Sequence, residues 1–481
     1  MSESYDAVVV GSGPNGLSAA IELARGGAQV GILEASDTVG GGVRSAELTL
    51  PGYVHDVCSA VHPLGILSPY FSKLPLEEHG LEWVLPPASV AHPLDDEPAV
   101  MLYKDLNETG EYLSQDARSW NSIFAPLLPK SKELFADILG PLGVPKHPIL
   151  MARFGLPGLR SALRFAHGKF TGPRAQALFA GCAAHSLLPL EKPLTAAVGT
   201  LFALSGHMED WPVAKGGSGE ISKALASYFK SLGGTVICST KINHVRDLPS
   251  ARVYLFDTDP VQMADIADSV LPKRYLKRVR KYRYGPGVFK LDWALDGPIP
   301  WADPKCLDAS TVHVGGTLDE IAASERAPWD DEHSDKPFLI LCQQSQFDST
   351  RAPEGKHTGY AYCHVPHGST IDQTEAIENQ IERFAPGFKD LILERHKTTT
   401  ADLERYNPNY VGGVIAGGVA DATQIFTRPV ARINPYTTPN PRIFICSAST
   451  PPGGGVHGMC GYHAARVALR TLSRHEAKPL K

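Results

Sequence analysis

The sequence predicts an α/β protein in which a parallel-sheet domain, assembled from separated stretches of chain, carries a second α+β domain with a helical cap. Three observations lead there. The N-terminus reads strand, glycine turn, helix and strand; residues 442–472 repeat strand, glycine-rich loop and helix; and the segment from Trp211 to Ile237 supplies a further glycine turn, helix and short strand.

The opening run Ala7-Val8-Val9-Val10 is apolar without alternation, as a strand covered on both faces must be. It ends in Gly11-Ser12-Gly13-Pro14-Asn15-Gly16, after which Leu17, Ala20, Ile21 and Ala24 fall on one face of a helix that Gly26-Gly27 stops. A second buried strand, Val30 to Leu33, ends in Glu34, an acid 18 residues after the last glycine. This is the dinucleotide fingerprint, and each part has a mechanical task. Gly11 permits the tight turn, Gly13 lets the backbone approach a pyrophosphate held at the positive helix N-terminus, and Gly16 lets helix and strand pack closely. Ser12, Pro14 and Asn15 complete the loop. Glu34 would accept hydrogen bonds from a ribose and repel a 2′-phosphate, which favours FAD or NAD over NADP. A second glycine loop, Gly40-Gly41-Gly42-Val43-Arg44, follows at a spacing that FAD proteins use, and Arg44 offers a planar cationic fork to paired phosphate oxygens.

Gly11 to Ser45 resembles the start of the flavin amine oxidase and phytoene desaturase superfamily, and the far end agrees independently. There Arg442 to Cys446 reads as a strand, Ser447 to Gly461 as a glycine-rich loop, and Ala464, Ala465, Ala468 and Leu472 as the apolar side of a helix. The resemblance implies that backbone amides at Gly455, Val456, Gly458 and Met459 face the flavin and that Ile242 touches the adenine. It implies a Rossmann-type, glutathione-reductase-like FAD-binding domain made of residues 1–70, 210–265 and 435–475, with residues 71–209 and 266–434 forming the substrate domain and cap. Pro51 to Asp56, Gly285 to Lys290, Arg351 to Gly355, Phe384 to Phe388 and Asn409 to Gly413 narrow the likeness to a phytoene-dehydrogenase-related group. Helical runs are expected around Trp120 to Leu139 and Gln176 to Leu188.

Composition limits the function classes. With 46 Lys+Arg against 51 Asp+Glu the net charge is -5, which leaves no electrostatic footprint for nucleic acid. The local cluster Lys273, Arg274, Lys277, Arg278, Arg280, Lys281 and Arg283 reads as a solvated face, with a peripheral membrane contact left open. Cys58, Cys182, Cys238, Cys306, Cys342, Cys363, Cys446 and Cys460 show neither CxxC nor metal-like spacing, so no metal is expected and the thiols read as reduced. The acidic N-terminus lacks a secretory pattern, and the longest lipid-like stretch, Thr195 to Leu204, is too short to span a bilayer, so a cytoplasmic location is expected.

The resulting expectation is an FAD-dependent dehydrogenase, desaturase or oxidase that removes hydride from a small, mainly apolar substrate, polyene, terpenoid or lipid-like, and passes electrons to oxygen or a quinone. A flavin isomerase without net redox and a flavin-free partner-binding protein of the same fold stay open, as does the oligomeric state. His457, inside the loop expected beside the flavin, is the candidate proton donor, set against a loop-ordering role. Tyr462 and His463 rank below it, and Arg351, Glu354, His313 and His364 are expected as structural residues in polar turns.

Overall fold

The computed structural model describes residues 5–473, which two sheets organise. The first is all parallel, in the order Ile443–Ile445, Ala251–Phe256, Tyr5–Val10, Val30–Leu33, Thr235–Ile237. Alternate residues of its strands enter two different cores. Ala7, Val9, Val253 and Leu255 pack with residues of the helices Pro14–Arg25, Gly219–Ser231 and Met459–Leu472. Val8, Val10, Tyr254 and Phe256 pack with the helices Pro260–Ile266 and Lys273–Val279. That double cover is why the run Ala7 to Val10 shows no polar alternation. Between Ile237 and Ala251 the chain makes only the short turn Val245–Asp247, with no intervening strand.

The second sheet has seven strands, in the order Ile392–Thr398, Gly287–Leu295, His357–Val365, Leu339–Cys342, Ala309–Val314, Ala88–Leu94, Glu97–Leu102. Ala309–Val314 and Ala88–Leu94 pair in parallel and the other neighbours are antiparallel. The period of two assigns its faces. Leu339, Leu341, Ala361 and Cys363 pack with Ile377, Ile381 and Phe384 of the helix Thr374–Phe384, while Ile340, Cys342 and Tyr360 join the core that includes the cap helices.

The cap comprises Ala117–Phe124, Ser131–Ile138, Pro148–Gly158, Ala162–Lys169, Pro173–Ala184 and Thr195–Met208. The helix expected over Trp120 to Leu139 is broken after Phe124, where Pro126 and Pro129 each lack an N–H for the ladder. Trp120 sits at the cap centre, donating from Nε1 to His207 Nε2 at 2.8 Å, and Phe165 stacks on Phe179 at 4.9 Å. His313 and His364, expected in turns, lie instead in the strands Ala309–Val314 and His357–Val365, both buried.

Arg351 joins the layers. It is fully buried, its Nη1 3.0 Å from Asp56 and its Nε 2.9 Å from Asp348, while Nη2 donates to the Ala214 carbonyl at 3.1 Å. Burial alone would raise the Asp56 carboxyl, but the guanidinium, with the Ser218 amide and Ser45 hydroxyl, holds it below the ordinary carboxylate range. Glu354 stands in an exposed turn nearby.

Candidate cofactor and substrate site

The glycines of the first turn pack around Asp257, whose stretch Asp257 to Pro260 resembles the strand end that closes an FAD-binding domain but whose side chain has no role assigned from the sequence. Asp257, directly after Ala251–Phe256, places its Oδ2 2.8 Å from the Gly16 amide, which donates to it. A Cβ on Gly11 would lie 2.9 Å from the Asp257 carbonyl oxygen, and one on Gly16 would lie 2.3 Å from the Gly11 carbonyl oxygen. Burial, reinforced by the charge of Glu34, pushes the Asp257 carboxyl up to about 8, so at neutral pH it carries a proton.

Glu34 ends its strand beside this turn. Its Oε2 accepts from the Ser12 amide at 2.8 Å and the Ser12 hydroxyl at 2.6 Å, and its Oε1 accepts from the Ser36 amide at 2.9 Å. Arg44 Nη2 approaches Oε1 at 3.4 Å. The Arg44 guanidinium also donates to the carbonyls of Thr38, Val39 and Gly41 and lies 5.5 Å from the centre of the Tyr406 ring. The fork expected to reach free towards phosphate oxygens is thus largely engaged in fastening its own loop, although Arg44 still lines the cavity described next. At Gly42 a Cβ would meet the Tyr410 hydroxyl at 2.0 Å, so this glycine is required by close approach. Ile242 is buried beyond Thr240, whose amide donates to the Glu34 carbonyl at 2.8 Å.

One continuous cavity of about 1650 Å³ connects these parts. Its nucleotide end is lined by Gly11, Ser12, Gly13, Pro14, Asn15, Glu34, Gly41, Gly42, Arg44 and Ile242, and it continues past Gly455, Val456 and Met459. Its far end is a chamber whose walls include Phe202, Trp211, Ile340, Tyr360 and Tyr362. His185 also faces the chamber, stacked on Phe202 at 4.4 Å, with its Nε2 3.0 Å from His313 Nε2. Burial keeps the chamber uncharged: it lowers His185 to about 3 and raises the phenols of Tyr360 and Tyr362 well above 10.

The glycine loop near the C-terminus corrects the sequence reading. His457 is fully buried and is not among the residues lining the cavity. Its Nδ1 accepts the Met459 amide at 3.0 Å, and burial lowers it to about 4, so it is a neutral cap at the start of Met459–Leu472 rather than a proton donor facing a substrate. The Met459 amide is therefore engaged and does not point at a ligand. Gly458 takes φ +68° against Ser18 and Phe71 and also lies off the cavity. Tyr462 and His463, ranked lower, do line it, and His463 is hydrogen-bonded to the Leu139 carbonyl at 3.0 Å.

Sequence reasoning also missed Arg428, which donates to the carbonyls of Ser449 at 3.1 Å and of Ala448 and Gly417 at 2.8 Å, pinning two glycine loops together along the cavity. An isolated arginine in an irregular segment carries no spacing signal. The Asp257 signal was present in the strand end Leu255-Phe-Asp-Thr-Asp-Pro260 but became specific only once the strand lay beside the first turn.

The cradle fits a dinucleotide. Two loops approach until a Cβ on Gly41 would stand 3.0 Å from Gly13 Cα, and Asn15 Oδ1 is buried there with no protein partner among the described residues. Among those residues no group of three or more His, Cys, Asp or Glu side chains could hold a metal ion.

Comparison with known proteins agrees with this geometry. Residues 9–72 match the family described as NAD(P)-binding Rossmann-like domain. The pyridine nucleotide-disulfide oxidoreductase domain-containing protein 2 of Rattus norvegicus is 26% identical over an alignment 548 positions long, gaps included, which covers 97% of this chain and 94% of that protein, and the Mus musculus protein matches to the same extent. An oxidoreductase from Methanosarcina mazei is similar in fold, with a TM-score of 0.63 at 15% identity over 96% of this chain and 98% of that one. Cyclohexylamine oxidase from Brevibacterium oxydans gives a TM-score of 0.58 at 14% identity over 98% and 100%. The matched segment makes residues 9–72 similar to a Rossmann-like dinucleotide-binding domain, the likeness in sequence to the rodent oxidoreductase-domain proteins runs nearly the full length of the chain, and the fold is shared with the Methanosarcina mazei oxidoreductase and cyclohexylamine oxidase.

Proposed function

We propose that the protein is an FAD-dependent oxidoreductase that removes hydride, or its equivalent, from a C–H bond of a mainly apolar substrate and passes the electrons to oxygen, a quinone or another carrier. The observation that carries this reading is the continuity of the cavity. At about 1650 Å³ it exceeds a one-ligand pocket, roughly 300–1,000 Å³, and accommodates a dinucleotide with a second molecule at its end. FAD over NAD rests on the second glycine loop beside the first and on the likeness to amine-oxidase-type folds.

Bound FAD would supply the two-electron acceptor. The residues of the chain bind, orient and exclude water. The start of Pro14–Arg25, with Gly13 in close approach, would hold the diphosphate; Glu34, its carboxylate fixed by the Ser12 amide and hydroxyl, would meet the ribose and Ile242 the adenine. In the chamber the aromatic walls of Tyr360, Tyr362 and Trp211 and the cap above them hold a reacting carbon in place. With its histidine and phenols neutral, the chamber favours positioning over acid–base work. Disulfide exchange, suggested by the relatives' name, lacks a CxxC here, and burial raises the Cys58 and Cys342 thiols, the latter to about 12.

The test is the absorbance spectrum of the purified protein and identification of the cofactor released by heat. Two flavin bands with FAD released are expected; a colourless protein that FAD cannot reconstitute refutes the reading. Anaerobic mixing with apolar candidate substrates then separates dehydrogenation, which bleaches the flavin lastingly, from isomerisation, which forms product without net reduction.

A further inference from the structure

The cap helix Pro148–Gly158 is apolar on two opposite faces. Leu150, Phe154 and Gly158 recur every fourth residue and are buried. Ile149, Leu156 and Leu159 face outward, 74%, 68% and 56% exposed, and the preceding loop adds Val144 at 93% and Leu142 at 41%. A helix apolar all round is ordinarily covered, and soluble monomers rarely leave such a cluster in water.

The charge pattern identifies the cover. Residues 138–190 contain Lys146, Arg153, Arg160, Arg164, Lys169 and Arg174 and not one Asp or Glu, in a chain of net charge -5. Arg174 is taken up by Glu97 and the carbonyls around it, but among the described residues Lys146, Arg153, Arg160 and Arg164 form no ion pair. Arg153 lies on the same outward stripe as Ile149 and Leu156, at successive spacings of four and three residues, and Arg160 stands exposed just past the end of the helix. Residues of this segment, among them Leu142, Val144, Met151, Phe154 and Leu159, also line the large cavity.

We propose that this face docks on an anionic lipid bilayer, with the outward apolar side chains entering the acyl region and Lys146, Arg153, Arg160 and Arg164 meeting headgroup phosphates. The cavity then opens towards the lipid, and an apolar substrate reaches the chamber without crossing water. That last point rests on the proposed function; the docking does not. A second copy is a poor cover, because a two-fold contact through this face would bring unpaired cations together. The basic cluster at Lys273 to Arg283 is a different surface, where Arg280 and Arg283 are paired with Asp265 and Asp421.

The full chain is sedimented with phosphatidylcholine vesicles and with vesicles that also contain phosphatidylglycerol. It is expected to partition onto the mixed vesicles and to be released by salt. Ile149→Glu with Leu156→Glu lowers that partition at least about tenfold, and Arg153→Glu with Arg160→Glu lowers it on the anionic vesicles alone. All four positions are exposed, and circular dichroism confirms the fold of each variant. Failure to bind either vesicle, binding that the glutamate variants leave unchanged, or self-association in solution that they abolish without any vesicle binding would each overturn the proposal. Flavin content read in the same samples separates the two ideas: flavin-free protein that binds vesicles retains the docking and loses the proposed function, and flavin-loaded protein that ignores them does the reverse.

Discussion

Asp257→Asn probes how the chain tolerates an acid at the N-terminus of its phosphate-binding helix. The wild-type carboxyl accepts the Gly16 amide at 2.8 Å, is buried, and has a pKa of about 8. A diphosphate at the same helix start would favour the protonated acid still further, because two anions there repel. If only the protonated form takes the cofactor, the apparent Kd for FAD is flat below pH 8 and rises about tenfold per pH unit above it, roughly elevenfold at pH 9. Asparagine keeps an acceptor for Gly16 and cannot ionise, so its Kd should stay flat across the range. The same carboxyl affects stability in the same direction. Its folded pKa lies above the ordinary carboxylate value of 3.8, so stability present at low pH is lost as pH rises towards and through about 8, and the variant should lose this dependence. Quenching of FAD fluorescence, titrated from about pH 6 to 9, measures Kd, and thermal melts in the same buffers measure stability. A wild-type Kd without pH dependence, or an equal slope in the asparagine variant, would refute the reasoning.

Three further outcomes follow from packing. Gly16→Ala places a Cβ 2.3 Å from the Gly11 carbonyl oxygen, a backbone atom that cannot swing aside, and should cost about 1–3 kcal/mol and abolish FAD retention; a variant purified with full flavin content would show that the turn adjusts. His457→Ala removes the acceptor of the Met459 amide and should cost about 0.5–2 kcal/mol in denaturant melts, while flavin reduction by substrate proceeds at the wild-type rate; a slowed rate without destabilisation would return His457 to the chemistry. Arg351→Met leaves Asp56 and Asp348 buried without their cation and should cost about 3–5 kcal/mol, with its effect on unfolding diminishing in acid as those carboxyls protonate; stability close to wild type at neutral pH would contradict the tie assigned to Arg351.

Much of the nucleotide side was legible in the amino-acid order because its constraints are local. A strand covered on both faces must be apolar throughout, a tight turn under a helix must be glycine, and an acid at the next strand end is a fixed number of residues away. Gly11, Gly13, Glu34 and the helix Met459–Leu472 could therefore be named from spacing and resemblance, whereas the free fork expected of Arg44 is engaged with its own loop. Residues whose environment is set by segments far apart in sequence could not be assigned in this way. Asp257 acquires its raised pKa only when Ala251–Phe256 pairs beside Tyr5–Val10 and buries the carboxyl against the glycine turn. Arg351 looked like a turn residue until Asp56, Ala214 and Asp348 converged on it. His457 sits in the expected loop, yet its buried imidazole accepts the Met459 amide at the start of the helix instead of lining the cavity. What the sequence by itself determined is the backbone geometry of a dinucleotide cradle, since steric limits act between residues close along the chain. What only the tertiary structure decided is which side chains are charged, capped or facing the chamber, since desolvation and hydrogen bonding depend on neighbours that folding alone brings together.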